Sequence, residues 1–267
     1  NIELSPNELI NGISLPVDLT HQTQLQDGSI YQISIIGIDL AGNSGESLLV
    51  NNFHFDTSPP VIQLLSPDND AYVNHDNANF STNETLQTGK ITWKRIEGEI
   101  DPNIHVVELK GDMLKKGIHD TSGFSDLPLV SMVDYLIEIT GVDLAGNTVL
   151  VPSSKSVHFD ITPPALTINK PEENSFINHQ NVTFSVSEPL QKGALHFTNQ
   201  GTGIMKKIAL MGEELTILNW ENKPLSTPLS IEDGGAFTYE LIGIDLAGNE
   251  GKSPIVSDIR YDISKPL

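Results

Sequence analysis

Asp39, Leu40, Ala41, Gly42, Asn43 is the stretch that decides the fold, because the same five residues return at positions 143–147 and again at positions 245–249. The spacings are 104 and 102 residues, long for a solenoid unit and about the size of one small domain. A motif that returns at that interval marks a repeated unit, and three copies do not make one active site.

The residues before each copy alternate with period two. Tyr31, Ile33, Ile35 and Gly37 share one side, as do Tyr135, Ile137, Ile139 and Gly141, and then Phe237, Tyr239, Leu241 and Gly243. This predicts a strand with one apolar face. Its other face carries Gln32 and Ser34, or Glu138 and Thr140, which suits an antiparallel sheet wetted on one side. Asp, Gly and Asn then supply the local hydrogen bonds and left-handed backbone of a tight turn, so the chain returns as another strand.

The returning strand ends in a second repeated mark. It reads Phe55, Asp56, Thr57, Ser58, Pro59, Pro60, then Phe159, Asp160, Ile161, Thr162, Pro163, Pro164, and less faithfully Tyr261, Asp262, Ile263, Ser264, Lys265, Pro266. Paired prolines cannot extend a sheet ladder and form a short, semi-rigid joint. Boundaries placed there give three units: 1–56, the latter half of a repeat, then 57–160 and 161–267. Ile2, Glu3 and Leu4 align with Val107, Glu108 and Leu109, so the first copy begins in mid-repeat and the chain reads as an excerpt. Residues 1–56 are expected to need the missing half or a partner for order.

The two longer copies keep register after the joint. Apolar runs at 61–65 and 165–168 lead to proline turns at Pro67 and Pro171, then to Val73, Asn74, His75 and Ile177, Asn178, His179. Strands are expected over 79–82 and 182–186, followed by one bearing Trp93 or Phe197, a bulky aromatic where a sandwich core wants one. Leu109, Gly111, Leu114 and Leu210, Gly212, Leu215 suggest a hairpin. Seven or so short strands without helical periodicity predict an all-β chain of tandem antiparallel β-sandwich (Ig-like) domains joined by short Pro-containing linkers. The tail of each repeat resembles the last two strands of bacterial Ig-like and fibronectin type III-like domains found in tandem in surface or secreted proteins. That resemblance implies the fold, with spacers, adhesive modules and enzyme appendages all among its uses.

Composition narrows the chemistry. With 15 Lys plus Arg against 35 Asp plus Glu the net charge is −20, which repels nucleic acid and anionic membranes and suits a particle that collects cations. The absence of cysteine excludes disulfides, thiolate nucleophiles and Cys-ligated zinc. No apolar run approaches the roughly 20 residues of a span, so no membrane insertion is expected in this segment. His54, His158, His75 and His179 repeat with the fold and lack any HExxH or triad company, and no catalytic residue is assigned. The sequons at Asn79, Asn83 and Asn181 read as chance in a chain rich in Asn, Ser and Thr.

Topology supplies a sharper expectation. The connection after the second strand and the one between the last two strands share a pole, where the preceding linker enters. Asp56, Glu84, Asp143 and Asn147 are expected to converge there, and Asp160, Glu188, Asp245 and Asn249 one repeat later. Carboxylates about 5 Å apart repel by roughly 3 kcal/mol per pair at an effective dielectric of about 20. Calcium, which takes about six to eight oxygen ligands, would reverse that cost. The competing reading is that Asp and Asn are simply good turn residues.

The function that fits is a structural or adhesive spacer of a large bacterial extracellular repeat protein, a stalk, fibre or filament. Its partners would be neighbouring repeats of the same chain, other copies in a filament, or a surface ligand bound by the variable middle of each repeat. The alternative is a non-catalytic accessory region of a secreted polysaccharide-active enzyme. A sugar-binding module ranks below both, because two Trp and five Tyr form no stacking row.

Overall fold

The computed structural model describes residues 25–47, 50–123, 126–149, 152–216, 218–228 and 231–266. The alignment of Ile2, Glu3 and Leu4 lies outside them.

In the first copy, β1 (Ser29–Ile33) pairs antiparallel with β4 (Val50–Phe55), and β2 (Ile36–Ile38) pairs with β3 (Ser44–Glu46) across the pentapeptide turn. The next sandwich comprises β5 (Ile62–Ser66), β6 (Ala71–Val73), β7 (Asn79–Thr82), β8 (Leu86–Gly98), β9 (Ile104–Glu108), β10 (Gly117–Asp120), β11 (Val133–Asp143) and β12 (Ser153–Phe159). One sheet has the order β10-β7-β5 and the other β6-β12-β11-β8-β9. The last sandwich comprises β13 (Leu166–Lys170), β14 (Phe176–Ile177), β15 (Asn181–Val186), β16 (Leu190–Asn199), β17 (Met205–Ala209), β18 (Asn219–Pro224), β19 (Ala236–Asp245), β20 (Glu250–Lys252) and β21 (Val256–Tyr261). Its sheets run β13-β15-β18 and β14-β21-β19-β16-β17, with β20 beside β19.

The period-two reading holds where it was strongest. Along β11 every second residue from Val133 to Asp143 is buried, and β19 does the same from Phe237. Trp93 and Phe197 point into the two cores. Trp93, Phe80, Tyr135 and Ile137 are fully buried, each adding about 1.5–3 kcal/mol relative to exposure. The cores are separate: one gathers residues between Ile62 and Phe159, the other between Leu166 and Tyr261. The Tyr135 hydroxyl accepts the Val130 N–H at 2.9 Å, and Tyr31 accepts that of Gln26 at 2.7 Å, the same corner at the start of the equivalent strand.

The antiparallel sandwiches carry one addition: the short edge strands β6 and β14 run parallel to β12 and β21. One expectation needs correction. The hairpin expected around Gly111 and Gly212 is a single helical turn, a 3-10 helix at Gly111–Leu114 and an α-helical turn at Glu213–Thr216. The chain there leaves the edge of one sheet for the opposite sheet. One turn, entered through glycines at φ +57° and +55°, makes that crossing while burying Met113 or Glu214 over the core.

Candidate metal centres at the joints

The pentapeptide builds the same turn three times. At Asp143 the carboxylate Oδ1 accepts the N–H groups of Ala145 (2.8 Å) and Asn147 (2.9 Å), and Oδ2 accepts the Asn147 amide at 2.8 Å. Asp39 and Asp245 hold Asn43 and Asn249 in the same way. Gly146 and Gly248 take φ values of +96° and +99°, which close the turn without a Cβ penalty.

The side-chain amide of the turn then reaches out of its own repeat. Asn147 donates to the backbone carbonyl of Asp56 at 3.1 Å, and Asn249 to that of Asp160 at 2.9 Å. Five residues on, Val61 donates its N–H to the Asn83 side chain at 2.8 Å, and Ala165 does so to Ser187 at 2.9 Å. Each linker is thus fastened at both ends to the sandwich that follows it. At the second joint Asn74 also donates to Asn249 at 3.2 Å, and the Pro164 carbonyl lies 2.1 Å from where a Cβ on Gly251 would stand.

These braces bring together the carboxylates that the sequence pointed to. Asp56, Glu84 and Asp143 each place an oxygen within 4.8 Å of the others, and Asp160, Glu188 and Asp245 repeat the cluster. Asp143, Asp245 and Asp160 are buried, while Asp56, Glu84 and Glu188 are partly exposed. Burial, reinforced by Asp56 and Asp143, pushes the Glu84 carboxyl above its ordinary value; burial with Asp160 and Asp245 does the same to Glu188. For Asp143 burial works in the raising direction but is outweighed by the hydrogen bonds from Asn147, Ala145 and Gly146, so its value is lowered. Each cluster therefore combines a buried, hydrogen-bonded turn aspartate with a partly exposed glutamate whose carboxyl is pushed above its ordinary value. Asn147 and Asn249, expected to converge with the carboxylates, stand there as donors through Nδ2.

One contributor escaped the sequence reading. Asp27 accepts the Thr57 N–H at 2.5 Å and Asp233 accepts that of Ile263 at 2.9 Å, in both cases 30 residues apart, and Ser131 accepts that of Ile161 at 3.0 Å at the same separation. The signal was a repeated Asp-Gly with φ of +71° and +77°, obscured in the second copy by Ser131 followed by Met132 at φ +63°. The histidines hold structural posts. Nδ1 of His75 and of His179 accepts an N–H two residues on, and His158 pairs with Asp134 at 2.6 Å and stacks on Tyr72. A cleft of about 300 Å3 lies beside the second cluster, between Tyr72 and His158 on one side and Glu188 and Leu246 on the other.

No family model matches the chain, and no curated protein matches it. Among solved structures it is similar to a tetra-tandem repeat in the extending region of a large adhesion protein, at 20% identity and a TM-score of 0.30, over 85% of this chain and 55% of that one. It is also similar to a Ca2+-stabilized adhesin with which an Antarctic bacterium binds ice (15%, 0.33, 86% and 56%) and to domains A168–A170 of titin (10%, 0.37, 88% and 77%). The chain thus spans a little over half the length of the two adhesin structures. Both complete sandwiches are of the Ig-like and fibronectin type III-like kind: three strands face a sheet whose centre is β11 or β19. Among the described residues no helix is long and apolar enough to cross a membrane.

Proposed function

We propose that the chain is a spacer segment of a large extracellular repeat protein of the adhesive kind, in which calcium at the joints sets the stiffness of the string. Its units are 57–160 and 161–267, preceded by the latter part of another repeat at 1–56. The ligands are Asp56, Glu84 and Asp143 at one joint and Asp160, Glu188 and Asp245 at the next. Asn147 and Asn249 orient the turn aspartates and the linker backbone around the ion.

The observation that carries this reading is the recurrence of one carboxylate trio, with one amide brace, at two successive joints. Turn formation accounts for Asp143 and Asp245, whose hydrogen bonds stay within the pentapeptide. It does not account for a partly exposed glutamate from a different loop held against two like charges. A hard divalent cation satisfies all three oxygens at once, with backbone carbonyls and water completing its shell. Neighbouring repeats are then the first partners of each repeat, and the string works mechanically: cores resist unfolding while joints fix direction.

Small-angle X-ray scattering and thermal unfolding of the whole chain, in millimolar calcium and in chelator, test the proposal. A greater maximum dimension and a higher Tm with calcium are the expected results. Superimposable profiles and equal Tm values would overturn it.

A further inference from the structure

The asparagine that closes the last pentapeptide turn has one more polar atom than the turn and the linker use. Both Nδ2 hydrogens of Asn249 are committed, to the Asp245 carboxylate at 2.8 Å and to the Asp160 carbonyl at 2.9 Å, and those partners can only accept. Its Oδ1 is left as an acceptor. Asn74, on the preceding sandwich and 175 residues away in sequence, donates to it through Nδ2 at 3.2 Å.

Three segments thereby form a closed ring. Asn74 follows Val73, the last residue of β6, and the pairing of β6 with β12 sets Val73 beside Phe159. The Asp160 N–H donates to the Val73 carbonyl at 2.9 Å, the Asp160 carbonyl accepts from Asn249, and Asn249 accepts from Asn74. The ring runs from the body of one sandwich through the linker to the turn of the next, and back to the residue beside its start. A joint held by one bond can pivot about it, whereas a ring of three cannot turn far without bending a member out of bonding geometry.

The neighbouring side chains agree. Asn74 Nδ2 lies 3.6 Å from where a Cβ on Gly248 would stand, and among the described residues nothing lies within 4 Å of that point at Gly146 or Gly42. Leu246 is 38% exposed and lines the cleft across from the Tyr72–His158 ring stack, while Leu144 and Leu40, at the same place in their turns, are 70% and 110% exposed. Turn formation calls for Asp, Gly and Asn but not for the leucine. The last sandwich builds the same first part of the ring: the Asp262 N–H donates to the Ile177 carbonyl at 2.9 Å, with Asn178 next in the chain and exposed where Asn74 is half-buried.

We infer that Val73, Asn74 and Asp160 form a receptor for the pentapeptide turn of the following repeat, and that this contact holds the two complete sandwiches in one relative direction without an ion. Sandwiches joined by a short linker otherwise move relative to one another by default. The partner must donate to the Asp160 carbonyl and accept from Asn74 at once, which the amide of the turn does and a carboxylate or an ammonium group does not. Ile177, Asn178 and Asp262 present the same receptor to the turn of a further repeat. Asp160 enters the ring through its backbone alone and no joint carboxylate is a member, so the inference stands apart from the calcium reading.

Residual dipolar couplings of the whole 267-residue chain, perdeuterated and in chelator, test it. Couplings from residues 57–160 and 161–267 of the wild type are expected to fit one common alignment tensor. Asn74→Ala is expected to lose the common tensor while each sandwich still fits its own, which shows that both remain folded. Asn178→Ala removes the equivalent amide away from this joint and is expected to leave the common tensor intact. Separate tensors in the wild type, or a common tensor kept by Asn74→Ala, would overturn the inference. So would an equal loss in Asn178→Ala, which marks a general effect of that loop rather than of the bond to Asn249.

Discussion

Asn249 ties two repeats together through one side-chain amide, donating to the Asp245 carboxylate at 2.8 Å and to the backbone carbonyl of Asp160 at 2.9 Å, 89 residues earlier in the chain. Asn147 makes the same pair of bonds to Asp143 and Asp56. A turn that serves only to reverse a strand has no need of the second bond. Asn249→Ala leaves a half-buried carbonyl unpaired and removes a support of Asp245, with an expected cost of about 1–2 kcal/mol. Scanning calorimetry of the whole chain measures it, and scattering from the same sample should show a broader distribution of maximum dimension.

The glutamates carry the opposite sign. Burial and two neighbouring carboxylates raise the native pKa of Glu84, so the native state holds its proton more tightly than the unfolded one. By linkage that contribution favours folding below the unfolded pKa and is lost as pH rises through the raised native value. In chelator at pH 7, Glu84→Gln is therefore expected to stabilise the chain by about 0.5–1 kcal/mol after solvent screening. The gain should fade toward pH 4. Chemical denaturation at the two pH values checks both the sign and the window.

At Gly251 the limit is space. A Cβ there would lie 2.1 Å from the Pro164 carbonyl oxygen, a backbone atom that cannot swing aside. Gly251→Ala is expected to cost about 1–3 kcal/mol by pushing the linker off β20. The equivalent position in the second copy is Val149, which packs against the core of its own sandwich. Val149→Ala should behave as an ordinary core truncation and leave the preceding joint intact, a contrast that limited proteolysis of the two linkers can read.

Inside the central sandwich, Asp101 accepts hydrogen bonds from Tyr135 and Asn103 and faces His105 Nε2 at 2.6 Å. Its burial would raise its pKa, but the bonds from Tyr135 and His105 prevail and hold it at about 2. A depressed carboxylate stabilises the fold above its unfolded pKa, near 4, and loses that contribution as pH falls toward 2. Asp101→Asn is expected to cost about 2 kcal/mol at pH 7 and little at pH 2. A Tm difference that does not change with pH would contradict the assignment.

Much of the fold was legible because the repeat made it redundant. β11 and β19 gave the same alternation twice, and the pentapeptide fixed the pole at which Asp56, Glu84 and Asp143 meet. Pairwise features between strands distant in sequence were not legible. Nothing local in Ala71, Tyr72 and Val73 announces a parallel pairing with β12, which depends on where the chain crosses the sandwich. The helical turn at Gly111–Leu114 was missed because a four-residue segment is too short to show a period, and its Leu and Gly pattern fits a hairpin equally well. The amide brace was missed for a related reason. Asn147 was visible as a turn residue, and only the packed joint reveals the linker carbonyl as its second acceptor.

The central claim is that the acidic joints are cation sites, and calorimetric titration of calcium into the whole chain tests it most directly. Two ions per chain are predicted, with Kd values of about 10−4 to 10−3 M. Glu84→Gln and Glu188→Gln should each remove one of them, and the double variant should remove both along with the rise in Tm. Calcium heats no different from the buffer blank at millimolar concentration, or full binding in the double variant, would contradict it.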